Sequence, residues 1–145
     1  MFKLGQAVFF GLTALAQSAP SYAAANVEAA TAVQRIYTGA DGASKAEVVY
    51  LNCNATLPAV TVTLSQAKAN YVEDWHVTPD KYLVIMISGA FTVELSDHSK
   101  ILFSPGDVAY FEDLTGKGHV TRSLADGTAM LVRLPANFDL NACAG

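Results

Sequence analysis

Residues Trp75 to Arg122 read WHVTPDKYLVIMISGAFTVELSDHSKILFSPGDVAYFEDLTGKGHVTR, and the punctuation of this stretch decides the fold class. The runs Tyr82–Ser88, Phe91–Leu95, Lys100–Phe103, Asp107–Phe111 and His119–Leu124 are short and rich in Val, Ile, Tyr, Phe and Thr. Between them stand Ser88-Gly89, Ser96-Asp97-His98-Ser99, Pro105-Gly106 and Gly116-Lys117-Gly118. Such runs, divided by residues that favour turns, are strands at hairpin spacing. Further runs at Glu47–Leu51, Ala59–Leu64 and Ala129–Leu134 extend the pattern, with turns at Asp41-Gly42 and Asp126-Gly127. About eight strands of this kind predict an all-β chain folded as a small antiparallel β-barrel or jelly roll. The barrel is expected over residues 47–134. A segment at 25–46 precedes it, with a short helix at Val27–Gln34, and a tail at 135–145 lies over the surface.

Side chains alternate between the two faces of a strand, so choosing one inward residue fixes its neighbours. An inward His76 brings Thr78 inward. An inward Tyr82 adds Val84 and Met86, and an inward His119 adds Thr121 and Ser123. The interior then holds two imidazoles, a phenol and several hydroxyls on an apolar wall, the usual make-up of a small-molecule pocket. His76, His119 and Tyr82 are the candidate catalytic residues. Trp75, Thr78, Met86, Tyr110, Glu112 and Thr121 are the candidate ligand contacts. Glu112 and Asp113 are adjacent, so only one of them can face the pocket. His98 is expected at a solvated hairpin tip, and Lys117 in solvent. Arg122, one residue out of phase with Thr121, should point away and pair with Glu112 or Asp113.

The same stretch resembles the cupin superfamily. With Gly89 as the closing glycine of the first cupin motif, His76 and Thr78 fall on its two His positions and Tyr82 on its Glu position. Gly106-Asp107 opens the second motif, and His119 takes its metal-binding His position. Two of the four ligand positions of that motif therefore keep a ligand. The loop before His119 is two residues longer than the pattern, with Glu112 where proline is usual. The resemblance covers roughly the central half of the chain. It implies a compact single-domain cupin. Tyr82–Ile87 is apolar at every position, which implies cover on both sheet faces. In cupins that cover is often a second subunit, so a homodimer is expected; the alternative is the chain's own N-terminal segment.

Lys3, the apolar run Ala7–Ala16, Pro20 and the small residues to Ala24 have the order of a secretory signal peptide over residues 1–24. The run is shorter than the roughly 20 apolar residues that span a bilayer. Secretion, or a periplasmic location in a bacterium, is the expectation, with no membrane association after cleavage. Of nine basic residues Lys3 would be lost, leaving eight against thirteen acidic ones and a net charge of −5. No basic block is present, which argues against nucleic-acid binding. Asn54-Ala55-Thr56 is a glycosylation sequon, relevant only in a eukaryotic source.

Two histidines alone rarely hold a divalent ion tightly, since zinc and non-haem iron take three or more protein ligands. No cofactor is therefore favoured. A divalent metal would need His76, His119 and a carboxylate such as Glu112. Three readings follow: a metal-free enzyme using a histidine as general acid or base in isomerisation, elimination or cyclisation, a non-catalytic module binding a small ligand, and a two-histidine metal oxygenase. In the first, replacing His119 by alanine is expected to stop turnover and spare the fold.

An exported chain with two cysteines, Cys53 and Cys143, is expected to join them in a disulfide. Closing a loop of about 90 residues stabilises by several kcal/mol in the chain-entropy model. Thiol titration of the denatured, unreduced mature protein should find no free thiol. Two free thiols would rule the bridge out.

Overall fold

The structure is a computed structural model that describes residues 30–51 and 56–143. The region of the expected signal peptide, Asn54 and Cys53 lie outside the described residues. Ten strands run in chain order: β1 (Thr31–Thr38), β2 (Ser44–Leu51), β3 (Thr61–Ala67), β4 (Val72–His76), β5 (Lys81–Ser88), β6 (Phe91–Glu94), β7 (Lys100–Phe103), β8 (Val108–Glu112), β9 (His119–Ser123) and β10 (Gly127–Leu134). A short 3₁₀ turn, Leu140–Cys143, follows.

The strands form two sheets, a six-stranded one in the order β2-β1-β8-β5-β10-β3 and a four-stranded one in the order β4-β9-β6-β7. All-β architecture is as expected, but the sheets are not closed into a barrel. No ladder joins edge strand β3 to edge strand β4 among the described residues, although only a turn separates them in sequence. The sheet is also not wholly antiparallel, because β1 runs parallel to β8.

The expected helix at Val27–Gln34 is corrected from Thr31 onward, where the chain is β1. Val33 and Ile36, three residues apart, are both buried. In a helix that spacing marks one face. Here it marks opposite faces of a strand with apolar cover on both sides. Ile36 joins Met86, Phe91, Val93, Phe103 and Phe111 in the core between the sheets. Val33 joins Leu83, Tyr110, Val132, Leu134 and Leu140 on the outer face of the larger sheet.

The second of these clusters explains the apolar run of β5. Its inward residues Val84 and Met86 meet the inter-sheet core, and its outward residues Leu83 and Ile85 meet the chain's own C-terminal segment. Phe138 sets its ring edge-on to Tyr110 at 5.8 Å, and its carbonyl oxygen accepts a hydrogen bond from Lys81 Nζ at 2.6 Å. At Leu83 the C-terminal segment therefore supplies part of the cover, in one cluster with Val33 of β1. Val62 and Leu64 of β3, opposite Val132 and Met130 on the same outer face, stay exposed. No helix among the described residues is long and apolar enough to cross a membrane.

Leu140 anchors this cover and is 2% exposed. Leu140→Ala should cost about 2–5 kcal/mol, the range for a buried leucine truncated in a core. Urea unfolding of the variant beside the parent protein measures it, and a loss under 1 kcal/mol would show that the segment does not hold the outer face.

Candidate functional site

The site is built on the ladder between β4 and β9. His76 stands directly opposite His119, and Glu73 opposite Thr121. Residues 73 and 76 differ by an odd number, so a regular strand would point them to opposite faces. The register shifts between them, and this irregularity turns both toward the sandwich interior. The imidazole rings of His76 and His119 lie 4.4 Å apart between centroids, inclined at 58°. Gly118 permits this approach. Its φ is +69°, and a Cβ there would fall 2.0 Å from the His76 carbonyl oxygen.

Behind His119 sits Asp113, which has no exposed surface. Its Oδ2 lies 2.7 Å from His119 Nδ1 and accepts a hydrogen bond from Ser44 Oγ at 2.8 Å. Its Oδ1 accepts one from Thr78 Oγ1 at 2.6 Å. Burial works to raise the Asp113 pKa. The hydrogen bond and charge of His119, and the hydroxyls of Thr78 and Ser44, outweigh it and hold the carboxyl below the ordinary carboxylate range. An ionised Asp113 only accepts, so His119 Nδ1 carries the proton and the neutral ring has its lone pair on Nε2. His76 Nδ1 lies 2.7 Å from the Asp74 carbonyl oxygen, which also only accepts. Its Nε2 is likewise the free acceptor of the neutral ring, 3.7 Å from Glu73 Oε1.

Both rings border a cavity of about 330 Å³ between β3, β5 and β10 on one side and β4 and β9 on the other. Of the expected site residues, His76, Thr78, Tyr82, His119 and Thr121 line it, with Val84, Phe91, Phe111 and Leu131 as apolar wall. Four others do not. Trp75 falls within the irregular stretch of β4, is 46% exposed, and meets His98 edge-on at 6.3 Å. Met86 is inward but lies deeper, packed into the inter-sheet core. Tyr110 and Glu112 point to the opposite face of β8, because Phe111 between them takes the inward direction.

There Glu112 Oε1 accepts from Arg35 Nε at 2.5 Å, and Oε2 accepts from the Tyr110 hydroxyl at 3.1 Å. Lys81 Nζ completes the group at 3.5 Å from Oε2. Burial, then the negative charge of Glu112, pushes the Tyr110 phenol well above its ordinary value. The expected pairing of Arg122 with Glu112 or Asp113 is not formed, since these carboxylates pair with Arg35 and Lys81 and with His119. His98 is at an exposed turn with φ +66°, as expected.

Asp113, Ser44 and Glu73 were not among the expected site residues. The parity argument allowed one member of the Glu112–Asp113 pair to face inward, but it did not choose between them. As a metal centre the donor set fits poorly. Each imidazole offers one nitrogen, Glu112 is on the far face, and no group of three His, Cys, Asp or Glu residues that could hold an ion occurs among the described residues.

No protein-family model and no curated protein matches the sequence. Several solved structures are similar to parts of the chain, three of them as follows. A protein from Neisseria meningitidis overlays 51% of this chain and 72% of its own at 19% identity, with a TM-score of 0.42. A conserved protein of unknown function from Streptococcus pyogenes overlays 51% and 63% at 16% identity, with a TM-score of 0.42. A cupin-2 domain containing protein from Shewanella frigidimarina overlays 56% and 76% at 15% identity, with a TM-score of 0.45.

Asp113→Ala removes the acceptor of three buried donors and should cost about 3–5 kcal/mol at neutral pH, the range for breaking a buried pair. The folded-state pKa of Asp113 is depressed, so its stabilisation is full above the unfolded value of about 4 and fades as pH falls through the lower, folded value. The part of the gap between parent and variant in urea unfolding that comes from the Asp113 charge should thus shrink below about pH 4. A gap independent of pH would show that the charge of Asp113 contributes nothing.

Proposed function

We propose that this chain is a secreted, single-domain cupin-like protein that binds a small organic molecule between its sheets and moves a proton on it with His119. One observation supports the reading most strongly: His119 Nδ1 is fixed on the buried Asp113 while the ring borders the cavity. A carboxylate behind an imidazole sets the tautomer, orients the ring and stabilises the imidazolium formed when Nε2 takes a proton. His76, 4.4 Å away between ring centroids, brings a second acceptor nitrogen to the same cavity. In such a transfer, His119 Nε2 would take a proton from a carbon beside a carbonyl. The C–H electron pair would form an enolate, with the charge on the former carbonyl oxygen, and the His119 imidazolium would return a proton to the same carbon. Tyr82 and Thr121 line the cavity and offer hydroxyls to the oxygen that gains charge.

The signal peptide, the Cys53–Cys143 bridge and a homodimer through the exposed side of β3 belong to the same proposal. They rest on the order of residues near the N-terminus, the cysteine count, and exposed Val62 and Leu64 respectively.

Alanine at position 119 would leave the Asp113 charge without its partner, so the sequence-based expectation of an intact fold does not carry over to that variant. His119→Asn keeps a donor near the Nδ1 position and removes Nε2. Incubated in D2O with a panel of small ketones, the parent protein should wash deuterium into the α-carbon of at least one of them, read by NMR. His119→Asn should slow the exchange by about 10²–10⁴-fold, the usual worth of a positioned general base, while still unfolding cooperatively. Exchange that is absent with the whole panel, or unchanged in the variant, would leave the cavity as a binding site without chemistry.

A further inference from the structure

We infer that the ligand of this cavity is a small molecule bearing a protonated amine; the inference rests on the reading of the cavity as a ligand site. The charges and acceptors that face the cavity favour a cation. Glu73 is the one carboxylate on the wall among the described residues, and no Lys or Arg lines it. In the neutral rings, the free nitrogens of His76 and His119 accept hydrogen bonds rather than donate them, because both Nδ1 atoms are engaged behind. The Glu73 carboxylate, with Oε1 3.7 Å from His76 Nε2, adds acceptors close to the first of these rings. Hydroxyls on the wall can donate or accept, but the two ring nitrogens and the Glu73 carboxylate call for donors on the ligand, and an ammonium group brings three.

The rest of the wall fits the same class. Tyr71, Tyr82, Phe91 and Phe111 line the cavity, and aromatic faces attract organic cations. The two cations beside Tyr82 in the larger sheet are committed elsewhere: Arg133, opposite it, has Nη1 3.3 Å from Asp80 Oδ2, and Lys81, next to it, is held by Glu112 and the Phe138 carbonyl. A carboxylate ligand would face Glu73 with no counter-charge on the wall and Asp113 ionised behind it. About 330 Å³ is at the small end of ligand pockets, enough for one ring with a short arm.

Three probes of nearly equal shape test the inference: 2-phenylethylamine, 2-phenylethanol and 3-phenylpropanoate, titrated into the full mature protein at neutral pH. Binding is read from the amide NMR shifts of Thr121 and His119. The amine should bind about tenfold more tightly than the alcohol, in line with one half-exposed ion pair and a cation–π contact, and the propanoate should bind most weakly. In Glu73→Gln the amine should fall to the level of the alcohol. An alcohol or propanoate that binds as well as the amine, or an amine preference that survives Glu73→Gln, overturns the inference and leaves the cavity a ligand site. Absence of binding by all three probes overturns the inference and the ligand-site reading together.

Discussion

A carboxylate with no access to water must find its hydrogen-bond donors within the protein, and Asp113 finds them on three separate pieces of chain. Ser44 begins β2 at the edge of the larger sheet, Thr78 follows β4, and His119 begins β9 in the smaller sheet. One buried charge thus joins both layers at the end of the cavity where the two imidazoles meet. The backbone adds to the joint, since Thr78 N–H donates to the Asp113 carbonyl oxygen at 3.1 Å. The geometry of the site and the closure of the sandwich at this end are therefore one problem with one solution. A change that loosens Asp113 disturbs the approach of the sheets as well as the tautomer of His119.

Within a single strand, alternation of side chains located the cavity well. Tyr82 with Val84, and His119 with Thr121 and Ser123, share the interior as their even spacing requires. Reasoning of this kind fails where the chain departs from regular strand. The shift in β4 brings Glu73 inward beside His76 and leaves Trp75 exposed, and no local residue pattern signals a bulge between acidic residues. Glu112 and Asp113 straddle the end of β8, and which of them turns inward is set by Phe111 filling the interior one residue earlier. β1 was obscured for a different reason: with cover on both faces, its apolar residues lose the period of two that identifies a strand.

The outer face of the larger sheet shows how a chain of 145 residues can support a strand as apolar as β5. The C-terminal segment lays Phe138 and Leu140 over Leu83, Tyr110 and Val132, making a second core outside the sandwich. Beside that core, Arg35 of β1, Glu47 of β2, Lys81 of β5, and Glu112 and the Tyr110 hydroxyl of β8 satisfy one another's charges and hydrogen bonds. The sheet thus has an apolar side facing the cavity and an apolar side facing the C-terminal segment, with the polar network at the boundary of the second.

Gly118 sets how freely this site can change over many generations of substitution. It does not line the cavity and carries no side chain, yet a single added carbon there would drive β9 away from the His76 carbonyl. The distance between the two imidazoles is therefore recorded at a loop position that chemistry alone would not single out. A lineage that keeps both histidines but admits a larger residue at 118 would keep the ingredients of the site and lose their spacing.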